Sequence, residues 1–157
     1  MSERCVGMVV EGETVWVVDA DVPEDPELPV NILADNKWNL QDGDRATALS
    51  VMLRRCASHI KENKVICAYV MASGAPLGRA RVEPLLKSAE LRGVVIAAAA
   101  QHAVVKMVLK KAVSRTFGDQ KFDEYCKDDA FWKAHTTGKA LRKTSRPAAM
   151  VVVAGRQ

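Results

Sequence analysis

Apolar and polar positions change rhythm several times along the 157 residues. Cys5–Val10, a polar Glu11-Gly12-Glu13 break and the β-rich run Thr14–Val18 predict two strands joined by a tight turn, with Gly12 supplying the bend. Residues 22–29 hold three prolines and three acids and predict a loop. Residues 30–40 predict a third strand. Beyond it, Leu49, Met52, Leu53, Cys56 and Ile60 repeat at helical spacing, and Asp44 is placed to cap that helix. Residues 64–72 are mostly apolar, the pattern of a strand buried on both faces of a parallel sheet. Residues 78–91 predict a helix, kinked near Pro84 and stopped at Gly93. Val94–Ala100 then predicts another buried strand, and residues 102–115 a helix with Val104, Val105, Val108 and Leu109 inward. Residues 121–143 are helical in parts. A final helix covers residues 146–154, with Pro147 acceptable in its first turn.

The order of these elements predicts an α/β fold: a mixed sheet with a leading antiparallel hairpin and third strand, then βα units, and helices on both faces. No repeat or linker divides the chain, so one domain over 1–157 is expected. Apolar residues are 48% and charged residues 27%, a globular balance. The apolar run Val94–Ala100 is far short of the ~20 residues that span a bilayer, and the first residues lack a signal-peptide core. A soluble cytoplasmic protein with no membrane contact is therefore expected. Of four cysteines, Cys5, Cys56 and Cys67 sit in apolar runs and read as buried, reduced thiols. Cys56 and His59 share a helical spacing, but no second pair completes a zinc site. The segment Ser73–Gly78 has two glycines but lacks the Lys-Ser/Thr ending of a phosphate loop.

Three stretches, in order, resemble the RNase H-like fold and, within it, the RuvC-like Holliday-junction resolvases. CVGMVVEGETVWVV looks like the family's first hairpin, VICAYVMASG like its fourth strand, and SRPAAMVVVAG like its final helix. GRARVEPLLKSAELRGVVIAAAA fits the helix and edge strand between them. The resemblance implies a nuclease whose clustered carboxylates hold two divalent cations. At the matching positions this chain has Val9, Cys67, Ser145 and Ala148, none of which carries a carboxylate. Valine and alanine cannot ligate Mg²⁺, which takes hard oxygen donors, and a cysteine is too soft for it. Glu11, on the strand face of Val9, is the one displaced acid placed to substitute. The expectation is accordingly a non-enzymatic, RuvC-like pseudo-nuclease with no metal and no cofactor.

Charge supplies the positive expectation. Residues 1–75 hold 7 Lys/Arg and 12 Asp/Glu, a net of −5, whereas residues 76–157 hold 16 and 7, a net of +9. Lys139, Arg142, Lys143 and Arg146 fall at i, i+3, i+4 and i+7, one face if helical, and Lys106 and Lys110 are at i, i+4. These six are the candidate nucleic-acid-binding residues, for weak, backbone-directed and salt-sensitive contact with DNA or RNA. Phe131 and Trp132 beside Lys133 are either core or a stacking pair for a base. Two alternatives stand beside this one: a protein-interaction or scaffold subunit, with a homodimer as one form, and a nuclease with displaced carboxylates.

Overall fold

The alternation of the first forty residues becomes three long antiparallel strands, β1 (Ser2–Glu11), β2 (Thr14–Pro23) and β3 (Val30–Asn39). The computed structural model describes residues 1–72 and 82–157, so Ser73–Gly78 lies outside the described residues. Glu11 pairs with Thr14, which leaves a two-residue turn, and Gly12 takes φ +60° there. This left-handed conformation costs glycine nothing. Helix α1 (Arg45–Glu62) starts where Asp44 accepts a 2.9 Å hydrogen bond from the Thr47 amide. It leads into β4 (Cys67–Met71), parallel to β1.

Downstream, the order of helix and strand differs from the sequence expectation. Helix α2 runs unbroken from Val82 to Ala100, so Val94–Ala100 is helix and Gly93 lies inside it. Pro84 is the third residue described in α2, and the helix runs on without a break after it. The strand expected at 94–100 is instead β5 (Val104–Val108), and only residues from Lys110 onward form the next helix, α3 (Lys110–Phe117). The run 94–100 looked strand-like because α2 presses Leu91, Val95, Ala98 and Ala99 into the core. Short helices α4 (Phe122–Lys127) and α5 (Asp129–His135) follow, then a three-residue strand β6 (Thr136–Gly138), a 3₁₀ turn at Lys143–Ser145 and the final helix α6 (Arg146–Gly155).

The sheet order is β5-β4-β1-β2-β3-β6, antiparallel through β1-β2-β3 and parallel elsewhere. Helices α1 and α2 cover one face over Val6, Met8, Val15, Val17, Ala68 and Val70. On the other face α6 lies over Cys5, Val9, Val18, Ala20 and Tyr69, and Val113, Phe122, Tyr125, Phe131 and Trp132 close over it from outside. Ala148 to Val153 are all fully buried in consequence. A helix apolar all round belongs in the middle of a core. One polar pair crosses the α1 side: Asp19, almost wholly buried on β2, lies 2.7 Å from Nε2 of His59 on α1, whose ring meets Trp38 edge-on. All four cysteines are free and buried.

Candidate nucleic-acid interface

Helix α6 can reach the sheet because Gly7 has no side chain. A Cβ there would stand 1.9 Å from the backbone oxygen of Ala148. Gly7 pairs with Val18 and Val18 with Asp35, so one row of the sheet ends in a carboxylate beneath the start of α6. Asp35 and Ile32, three residues apart, share this face because β3 is bulged between them: Asp19 faces Ala34 but Ala20 faces Ile32, which leaves Leu33 without an opposite residue. Its side chain accepts hydrogen bonds from Ser145 Oγ, from Arg142 Nη2 at 2.9 Å and from the Arg142 amide at 3.1 Å. Burial pushes the Asp35 carboxyl up, but the Arg142 and Ser145 hydrogen bonds outweigh it and hold it below the usual carboxylate range.

One step toward the end of β1, Val9 pairs with Trp16 and Trp16 with Lys37. Lys37 Nζ lies 5.0 Å and the Arg142 guanidinium carbon 5.5 Å from the Trp16 ring centre, two cation–π contacts on one indole. Val9, Cys67 and Ala148 belong to the same α6-side core, but not to one point of it. Cys67 pairs with Cys5, four residues back along β1 from Val9, which at ~3.3 Å per residue is about 13 Å. Continuing that register beyond Met8–Val70 sets Met71, not Cys67, beside Val9. Ser145, fully buried, faces Asp35 rather than Val9. Glu11 is exposed at the turn. Among the described residues no three His, Cys, Asp or Glu side chains gather as ligands. Val9 and the Met71 beside it supply no side-chain oxygen, the hard donor that a pair of divalent cations needs.

The basic residues divide. Residues 139–146 are not one helix: Lys139 follows β6, Lys143 lies in the 3₁₀ turn and α6 begins only at Arg146. Arg142 is bound to Asp35. Arg146 is 9% exposed; it donates to the Cys126 carbonyl at 3.0 Å and reaches Asp129 at 2.6 Å, while its Nε has no partner among the described residues. Lys139 and Lys143 instead join Lys133, from α5, around an open groove of about 530 Å³ whose other walls include Thr136, Thr137 and Gly138. Asp129 is the one acid in its lining. The Arg146 hydrogen bond, aided by the charges of Lys143 and Lys133, holds that carboxyl below its ordinary range. Lys106 is on β5, at the opposite sheet edge, with its Nζ 5.8 Å from the Tyr69 ring centre. Lys110 lies over Phe122. Phe131 and Trp132 are core, and the Trp132 indole donates to the Tyr125 carbonyl at 3.1 Å. Sequence reasoning missed Asp35, Trp16, Lys37 and Met71 as parts of this face; an acid within the apolar-flanked strand 30–39 was the one available signal.

No family model and no curated protein matches the chain. Solved structures do. A structure of Thermus thermophilus RuvC superposes with a TM-score of 0.71 at 11% identity, over 98% of this chain and 92% of that one. Thermus thermophilus RuvC in complex with a Holliday junction substrate gives 0.68 at 11% identity, over 98% and 91%. The fold is RNase H-like, in its RuvC-like form. The yeast mitochondrial Holliday junction resolvase extends the likeness, with a TM-score of 0.63 at 9% identity, over 98% of this chain and 76% of that one. The order read as hairpin, third strand and βα units is therefore that of the RuvC-like fold, with helices on both faces as expected. The expectation of a non-enzyme is corrected by the same neighbours: these solved structures are of junction resolvases, which points to an enzyme, and the lack of a carboxylate at Val9 and Ala148 does not make the chain a non-enzyme. No α-helix described is long and apolar enough to cross a membrane.

Proposed function

We propose that this RuvC-like chain binds branched nucleic acid through backbone phosphates, with the groove between α5, β6 and the start of α6 as the contact surface. The observation that carries the reading is the convergence of Lys133, Lys139 and Lys143 on one groove whose single acid is already engaged by Arg146. Three exposed ammonium groups, hydroxyls from Thr136 and Thr137 and a glycine suit a phosphodiester, and lysines bind phosphates as point charges. The junction substrate bound by the Thermus RuvC supports a branched ligand. Of the six cations expected from the sequence, Lys139 and Lys143 carry this contact, Arg142 and Arg146 position the surrounding backbone, and Lys106 and Lys110 lie outside the groove.

The test is a titration of a four-way junction, a linear duplex and a single-stranded RNA at low and moderate salt. Three lysine–phosphate contacts predict that affinity falls about forty-fold between about 50 and 200 mM salt. The K133E/K139E/K143E variant is expected to bind no better than background at either salt. Binding that ignores salt, or survives this variant, overturns the reading. The resolvase fold makes strand cleavage the companion measurement, run with Mg²⁺ and with Mn²⁺ on wild type, Glu11→Gln and Asp35→Asn.

A further inference from the structure

The β5 edge of the sheet, far from the groove, has a chemistry of its own. The Val104 amide donates to the Ile66 carbonyl at 3.0 Å, and the Val108 carbonyl accepts from the Ala72 amide at 2.9 Å. Those residues turn their backbone groups toward β4, so the N–H and C=O of Val105 and Met107 point outward, and no described strand pairs with them. The edge is also apolar: Val104 is 60% exposed, Met107 46% and Leu109 51%. Beside it, on the α6 side, a groove of about 570 Å³ is lined by Val108, Leu109, Ala112, Thr116 and Gly155, with no Asp or Glu in its wall. Lys106, Lys111 and Arg115 are exposed along β5 and α3, and the sequence holds no acid between Glu90 and Asp119. Exposed edge strands are normally blunted by prolines, inward charges or covering segments, because they pair with any extended chain offered.

We propose that the outward edge of β5 takes an acidic, extended segment of a partner protein as an added strand. Its backbone pairs with Val105 and Met107. Alternate apolar side chains, which project to one face of a strand, enter the groove between β5, α3 and the end of α6. Its acids meet Lys106, Lys111 and Arg115. Main-chain hydrogen bonds supply affinity in this mode, and side-chain pockets and charge supply selectivity. The proposal is independent of the nucleic-acid reading, because it uses a different edge of the sheet and different cations.

The test is fluorescence anisotropy of the full chain with a labelled synthetic peptide about seven residues long, valine alternating with aspartate and glutamate. A dissociation constant on the order of 10 μM is expected. N-methylation of alternate peptide amides, the K106E/K111E variant and the groove-filling Thr116→Trp variant are each expected to weaken binding at least about tenfold. Thermal melts confirm that both variants fold. Equal binding of the N-methylated peptide overturns the proposal, as does indifference to both variants. It also falls if K106E/K111E abolishes junction binding while leaving peptide binding unchanged, or if the chain self-associates through this edge and excludes the peptide.

Discussion

Two residues set the geometry of the α6 face. Gly7 is there because the Ala148 carbonyl occupies the space a Cβ would need. The contact is with helix backbone, which cannot rotate aside, so Gly7→Ala is expected to cost about 3 kcal/mol, the upper range for overpacking, in chemical denaturation. Asp35 has a depressed folded-state pKa, so the stability it confers is present above the ordinary carboxylate value of ~3.9 and is lost as pH falls below it. Asp35→Ala strands the hydrogen-bond donors of Ser145 and Arg142 and is expected to cost about 2 kcal/mol at neutral pH. The gap to wild type should narrow on acidification toward pH ~3, measured as urea midpoints at each pH; a gap that widens would contradict the ion pair. The sequence hid this cluster for a physical reason. Asp35 is 107 residues from Arg142 and 110 from Ser145. In addition, the bulge at Leu33 breaks the period-two rule that would have set Asp35 opposite Ile32. Val9 and Ala148 were legible as apolar positions on the α6 face, whereas motif spacing carries no strand register, and the β1–β4 register sets Cys67 beside Cys5, four residues from Val9.

Elements whose pattern keeps one form from end to end were readable, and those that mix two environments were not. The hairpin, β3, α1 with its Asp44 cap, β4 and α6 follow directly from periodicity and capping. Asp44→Ala should lower stability by about 1 kcal/mol, read from the thermal midpoint. Edge strand β5 is short and mostly exposed, and Lys106 interrupts its apolar run, so its five residues mimic one face of a helix continued into α3. Helix α2 misled in the other direction. Its inner residues press on the sheet and α1 so closely that valine, isoleucine and alanine run together, and only the chain of alanines, the best helix formers, favoured helix. Leu91→Ala tests that reading: a fully buried α2 leucine should cost about 3 kcal/mol, whereas a loop residue would cost little.

At the scale of the molecule, the two sheet edges differ in chemistry. The β6 side gathers lysines around a polar groove, and the β5 side offers bare backbone and apolar side chains. The cysteines lie between, shielded by the layers. Burial pushes the Cys5, Cys56 and Cys126 thiols up to about 12. At neutral pH an alkylating reagent should label the native chain far more slowly than the urea-unfolded chain, since only the thiolate reacts; fast native labelling would place a thiol at the surface. The position of α6 has a consequence for how the protein is made. The helix that fills the centre of one face follows every other described element in the chain. Until residues 146–155 are made, this side of the sheet lacks the helix that fills its centre, and the apolar residues of α3, α4 and α5 that close over that helix have nothing to close on. Chains truncated before Arg146 should therefore stick to chaperones or precipitate, and a well-behaved product should depend on an intact α6.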